Sequence, residues 1–274
     1  MIRKLAVVGG GAMGEALLAA AIAQDVCPSD AISVGEPVAS RRAHLAETHG
    51  VGVDSDNAKV VSGADVVILA VKPQQIQEAL PPLREVLSPD ALVISIMAGP
   101  QLGTIGALLN HGRLVRAMPS ILATIGEAAT VWTASAETTA EQRAQAQALF
   151  QAAGLELAVP DEHYLDMATA VNGSGPGFVF LLLEALIDGA VRVGLPRDTA
   201  AALIIQTVKG SALMAQNQEE HLAALRNLVT SPGGTTAAGL QALEAGGVRA
   251  TLQDAVMAAY RRSQELAAPD SGQH

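Results

Sequence analysis

Leu5-Ala6-Val7-Val8-Gly9-Gly10-Gly11-Ala12-Met13-Gly14-Glu15-Ala16-Leu17-Leu18-Ala19-Ala20-Ala21 decides the architecture. Its opening apolar run reads as a strand buried on both faces, and the alanine- and leucine-rich run after Gly14 reads as a helix. Between them stand glycines at 9, 11 and 14, the Gly-x-Gly-x-x-Gly spacing. Such a turn makes a phosphate cradle. Gly9 permits the tight bend, Gly11 admits an anion where a Cβ would intrude, and Gly14 lets the helix pack close on the strand. The N–H groups at the helix start, around Ala12 and Met13, face the anion with the positive end of the helix dipole behind them. A purely structural glycine turn has the same letters, but the strand before it and the helix after it are the context that a dinucleotide site requires.

Downstream the pattern repeats. Pro28-Ser29-Asp30 makes a turn, residues 31–34 read as a second strand, and Gly35-Glu36 ends it. In dinucleotide sites an acidic residue at this strand end, about 20 positions past the glycines, takes the ribose hydroxyls. Glu36 lies 36 − 14 = 22 past Gly14 and is the candidate ribose ligand. Arg41 and Arg42, in a helix over 39–49, are placed to meet a 2′-phosphate, so these residues leave NAD and NADP level. A short strand at 51–53 and a loop from Asp54 to Asn57 lead to the apolar strand 64–71, which ends in Lys72 and a Pro73 that opens a helix. The strand 91–96 ends likewise in Met97-Ala98-Gly99-Pro100. Small residues at both ends suit a flat nicotinamide and ribose lying across them. Strands at 114–118, 128–134 and 155–159, with a helix capped by Thr138-Thr-Ala-Glu141, complete an alternation that predicts a parallel sheet. The fold class is α/β: a doubly wound Rossmann-type domain over 1–160, then an all-α domain over 161–274.

The totals exclude several functions. Lys and Arg number 17 against 27 Asp and Glu, a net charge of −10, so neither nucleic acid nor an anionic membrane is an expected partner. Cys27 is the only cysteine, and the histidines (His44, His49, His111, His163, His221 and His274) show no metal-ligand spacing. No metal is expected. A reducing, cytoplasmic location is, since Met1 leads almost directly into a strand with no room for a signal peptide.

From Asp161 only helices are expected, over 161–171, 175–193, 197–216, 220–229, 235–245 and 248–266, with a fraying tail beyond Leu266. Several are apolar on more than one face. Glu184, Asp188 and Arg192 fall at i, i+4 and i+8 of the second helix, a solvated or ion-paired stripe that argues against a membrane span. Helices of this kind need a partner, which predicts a dimer of interleaved bundles. Within them lies a second glycine turn, Thr230-Ser231-Pro232-Gly233-Gly234-Thr235-Thr236, opening a helix at Thr235. It presents backbone N–H groups and two hydroxyls to a small anion, or serves as an ordinary capped loop. Beside a nucleotide cradle it reads as a substrate-carboxylate site.

This turn, with Gly239 to Glu244 after it, resembles the signature of the pyrroline-5-carboxylate reductases, which reduce a cyclic imino acid to proline. The likeness spans the chain: Gly9 to Gly14, Ala70-Val71-Lys72-Pro73, Met97-Ala98-Gly99, Gly173-Ser-Gly-Pro176 and the Ser-Pro-Gly-Gly turn stand in the family's order. The resemblance implies that the first three blocks and Asn57 line the dinucleotide, NADPH by family habit with NADH also used. It implies that Ser231, Gly233, Gly234 and Thr235 hold the substrate carboxylate and that the Thr236 hydroxyl lies next to the ring nitrogen. A homodimer, often built into a larger ring, is implied by it too. Six positions, at four places in the chain, depart from the family's usual residues. Met118-Pro-Ser120-Ile-Leu122 stands where Met-Pro-Asn-Thr-Pro is usual, Asn172 replaces a Ser, Gly177 an Ala, and Leu222 a Pro.

Reduction of a protonated imine needs no side chain tuned to neutral pH, and the sequence shows neither a catalytic His pair nor a carboxylate dyad. Lys72 reads as a structural or phosphate-side charge rather than an acid. A related cyclic imine is an alternative substrate. Two other readings are a β-hydroxyacid-dehydrogenase-like enzyme and a catalytically weak nucleotide sensor. The first carries a Lys four residues after a Gly-x-Gly, where this chain has Val179.

Overall fold

In the computed structural model, which describes residues 2–267, the apolar run Leu5–Val8 is strand β1 and is buried throughout. Leu5 and Val7 join one core while Ala6 and Val8 join another, as expected when helices cover both faces of a sheet. Helix α1 (Ala12–Ala23) follows, then β2 (Ile32–Gly35), α2 (Ala39–His49), β3 (Gly52–Asp54), α3 (Asn57–Val61) and β4 (Val66–Leu69). After the single turn α4 (Ile76–Ala79) come β5 (Leu92–Ser95), α5 (Leu102–Leu109), β6 (Leu114–Met118), β7 (Ala128–Ala134), α6 (Ala140–Ala152) and β8 (Gly154–Ala158). The strands form one sheet in the order β3-β2-β1-β4-β5-β6-β7-β8. Chain order reverses between β1 and β4, which opens a crevice at their carboxyl ends.

The sheet departs from the expected all-parallel arrangement at β7, which runs antiparallel to β6 with Val115 opposite Ala134 and Met118 opposite Val131. The link explains it. Between these strands lies only the 3-10 turn Ile121–Ile125, too short for the crossover that parallel neighbours need. Pro73 likewise opens a 3-10 turn, Pro73–Gln75, ahead of α4 rather than a full helix. The cap of α6 sits one residue later than expected. Thr139 Oγ1 accepts from the Gln142 N–H at 3.2 Å and Gln142 Oε1 accepts from the Thr139 N–H at 3.0 Å. Thr138 instead donates to the Leu114 carbonyl at 3.0 Å, fastening the helix start to β6.

By compactness the chain divides into two units, one running to Pro176 and rejoined from Ala259, the other Gly177–Ala258. In the first, α7 (His163–Ala168) starts two residues later than its apolar pattern suggests and leads into a π-helical turn, Thr169–Gly173. Arg116 of β6 is buried between Glu162 at 3.2 Å and Asp166 at 3.4 Å, an ion cluster that fastens α7 to the sheet. The remaining helices are α8 (Gly175–Arg192), α9 (Arg197–Asn217), α10 (Leu222–Leu228), α11 (Thr235–Ala245) and α12 (Val248–Ala267). The expected helix over 220–229 is shorter at both ends. His221 Nδ1 accepts from the Ala223 N–H at 3.1 Å and sets its start. The expected fraying falls on residues 268–274, outside the described residues.

Among the described residues of α8 to α11 only Ala200 is buried, while Val179, Phe180, Leu181, Leu182 and Leu186 of α8 lie exposed. These helices therefore have no core of their own within one chain. Asp188 pairs with Arg197 at 2.7 Å, so part of the charged stripe is ion-paired. Those charges do not by themselves exclude a membrane span, however, because by length and composition His163–Arg192 is long and apolar enough to cross one.

Candidate functional site

At the carboxyl ends of β1, β2 and β4 lies a cleft of about 690 Å³. The glycines that shape it have three distinct reasons to be glycine. Gly9 has φ of +106°, and a Cβ there would stand 2.7 Å from the Ala70 carbonyl oxygen, so the loop passes directly against the end of β4. At Gly14 a Cβ would run into the Gly9 carbonyl and stand 3.1 Å from Val7 Cγ1, so α1 packs tightly on β1. Gly11 has ordinary φ of −68° and nothing within 4 Å of an added Cβ. Open space above a backbone N–H at a helix start is what a pyrophosphate needs, so this loop fits a dinucleotide.

Glu36 lines the same cleft, 8% exposed. Its Oε2 accepts from the Gly10 N–H at 3.0 Å and its Oε1 from the Val38 N–H at 2.9 Å. The carboxylate thus pins the glycine loop, with one lone pair per oxygen left for a ribose hydroxyl. Arg42 donates through Nη1 to the carbonyls of Glu36 and Pro37, both at 2.8 Å, and stands at this end of the cleft. Arg41 is turned away, donating to the Gly10 carbonyl at 2.6 Å and paired with Glu15. Glu36→Ser is expected to shift the ratio of kcat/KM values about tenfold towards NADPH, the size of one hydrogen bond to a ribose hydroxyl. Equal losses with both cofactors would leave Glu36 a loop pin only.

Glu15 gathers His49 at 2.9 Å, Arg41, and His44 at 3.0 Å around one carboxylate. Burial pushes its pKa up, but the bonds from His49, Arg41 and His44 together outweigh that and hold it at about 2, down from 4.5. A depressed carboxyl stabilises the fold above its unfolded pKa and loses that contribution as pH falls through the folded one. Glu15→Gln should therefore flatten the loss of stability between about pH 4.5 and pH 2, by about 2 to 3 kcal/mol. Denaturant melts across that range would read it, and identical curves would refute it.

The cleft brings together Gly9, Gly11, Glu36, Asn57, Ala70, Val71 and Lys72 of the expected set. Gly35 leaves room for Asn57 in its present rotamer, since a Cβ at residue 35 would meet its Oδ1. Ala12, Met13, Gly14, Pro73, Met97, Ala98 and Gly99 are not in the cleft's lining. Gly14 acts through packing, and Met97 to Gly99 follow β5, with Gly99 at φ +99°. Ser55 and Asp56, which the sequence reading passed over, line it as well. Their signal was adjacency to Asn57.

In the other unit, Gly233 has φ of +70°, and the Gly234 N–H donates to the Ser231 carbonyl at 3.0 Å. These close the Ser-Pro-Gly-Gly turn. Gly234 is the residue before α11 and has no side chain to cap the helix, so the first N–H groups at Thr235 and Thr236 meet whatever lies beyond the turn. Such an uncapped start, with two threonine hydroxyls beside it, can hold a carboxylate.

The carboxy-terminal half, residues 162–266, matches the family model for pyrroline-5-carboxylate reductase dimerisation. Residues 4–99 match that for coenzyme F420-dependent NADP oxidoreductases. The chain is 44% identical over 263 residues to the pyrroline-5-carboxylate reductase of Synechocystis sp., covering 96% of this chain and 98% of that one. A pyrroline-5-carboxylate reductase structure from Coxiella burnetii superposes with a TM-score of 0.90 at 35% identity, covering 97% of this chain and 99% of that one. The Plasmodium falciparum pyrroline carboxylate reductase with NADP bound gives 0.88 at 28% identity, covering 97% and 98%.

Proposed function

The chain belongs to the pyrroline-5-carboxylate reductase family, and on that premise we propose that it reduces 1-pyrroline-5-carboxylate to L-proline with NADPH, the last step of proline biosynthesis. The observation that carries this reading is the presence of two glycine-built anion sites in one chain, an open cradle at Gly11 and an uncapped helix start at Thr235. A dinucleotide and a small carboxylate are the ligands they suit. NADP is the cofactor, in keeping with the match over residues 4–99 and the NADP-bound relative.

In this reading residues 1–160 hold the dinucleotide and 161–274 supply the substrate turn and the dimer contact. The glycine loop and Asn57 fix the phosphates and ribose. Backbone donors from Ser231 to Thr235 fix the substrate carboxylate, and the Thr236 hydroxyl partners the ring nitrogen as imine becomes amine. The bound cofactor supplies the hydride that the imine carbon accepts. The apolar face of α8 is covered by a second copy, which gives the coreless helices an interior and makes the protein a homodimer or a dimer-based assembly. A cytoplasmic location accords with the single buried thiol of Cys27.

Absorbance at 340 nm tests the activity: it should fall when NADPH and 1-pyrroline-5-carboxylate are both present. Bound NADPH that is never consumed would instead indicate a nucleotide sensor, and turnover with β-hydroxy acids only would indicate the dehydrogenase reading.

A further inference from the structure

Helix α7 does not continue smoothly into α8, because Thr169–Gly173 makes one π-helical turn, in which the Ser174 N–H donates to the Thr169 carbonyl at 2.9 Å. Such a turn inserts an extra residue, is rare, and gathers at functional sites. Asn172 lies within it. Its Nδ2 donates at 2.7 Å to the carbonyl of Met118, the last residue of β6, and at 2.7 Å to the carbonyl of Ala129 in β7. One amide therefore bridges two strands just beyond their last registered pair, Met118 with Val131. The contact is close: a Cβ on Gly173 would stand 2.9 Å from Met118 Cε.

The arrangement is kept at a cost. Asn172 Oδ1 and Ser120 Oγ, the second two residues past the bridged Met118 carbonyl, are shut off from solvent and have no partner among the described residues. Buried polar atoms left in this way are uncommon and call for a reason. The place supplies one. The cleft beside Glu36 lies at the ends of β1, β2 and β4, so a dinucleotide whose adenosine half lies there extends its nicotinamide half over the ends of β4, β5 and β6. Met118-Pro119-Ser120 is the carboxyl end of β6.

Taking the cleft as the NADPH site, we propose that Asn172 is a positioning residue for the nicotinamide end of the cofactor. By tying the Met118 and Ala129 carbonyls it fixes the Met118-Pro119-Ser120 segment against which the reactive ring rests. It acts through that backbone and touches no reacting atom.

Equilibrium titrations of the intact protein with NADPH and with 2′-phospho-ADP-ribose, the same molecule without the nicotinamide, test this. Asn172→Ala should weaken NADPH about tenfold and the fragment less than about twofold, because only the ring end loses its support. A general structural brace would weaken both ligands alike, and that result overturns the proposal, as does an unchanged affinity for both. Asn172→Ser keeps one donor and guards against a failure to fold. An intermediate loss confined to NADPH supports the proposal, while equal losses or none overturn it. Wild-type protein that binds neither ligand would bring down the cofactor reading with it. Normal wild-type binding with unaltered variants would bring down this inference alone.

Discussion

Thr236→Ala is expected to lower kcat by about tenfold to a few hundredfold while raising KM far less. Its hydroxyl stands in the first turn of α11 beside the N–H groups assigned to the substrate carboxylate. If it bonds the ring nitrogen, that bond strengthens as imine becomes amine, so the loss falls on the transition state more than on the ground state. An ordinary hydrogen bond gives the lower figure and one to a developing charge the upper. Thr235→Ala is the control, because that residue is assigned to bind through its backbone, and a severalfold effect at most is expected. A folded Thr236→Ala protein with unaltered kcat would move the chemistry away from this turn.

The second large effect separates the two meanings of a glycine turn. Gly9→Ala forces a side chain into φ of +106° and against the Ala70 carbonyl, and should cost about 2 to 4 kcal/mol of stability together with most cofactor affinity. Gly11→Ala meets neither obstacle, having ordinary φ and empty surroundings. It should melt like the wild type yet bind NADPH about a hundredfold more weakly, since the methyl would fill the space left for the pyrophosphate. Denaturant midpoints and fluorescence titrations of the two variants read both quantities. Full NADPH affinity in Gly11→Ala would make the loop a structural turn and nothing more.

The parts of the fold that could be read in the sequence were those settled by neighbours in the chain. Leu5 to Gly14 gave strand, turn and helix because an apolar run and glycine spacing are local properties. The direction of β7 was not legible, because it follows from how little chain separates it from β6. Nor was the helix cap, since Thr138 and Thr139 each have an acid or amide three residues on and only packing chooses Thr139. Arg116 and its partners Glu162 and Asp166 lie 46 and 50 residues apart, and no spacing announces them. The π turn around Asn172 has no periodicity of its own and arises where α7 is pressed to the sheet. The site divided in the same way. Glu36 followed from its place at the end of the second strand, and the carboxylate role of the Ser-Pro-Gly-Gly turn from its pairing with a nucleotide cradle, since alone it also reads as a capped loop. The places of Asn57 and the Thr236 hydroxyl came from resemblance.

Transfer of isotope tests the assignment most directly. NADPH deuterated at C4 of the nicotinamide, prepared in each of its two facial forms, is incubated with the protein and 1-pyrroline-5-carboxylate, and the product is weighed by mass spectrometry. One of the two forms should yield proline one mass unit heavier, with the deuterium on the carbon that was the imine. Proline that forms without the label from either, or no proline while NADPH stays bound, would contradict direct hydride transfer by this protein.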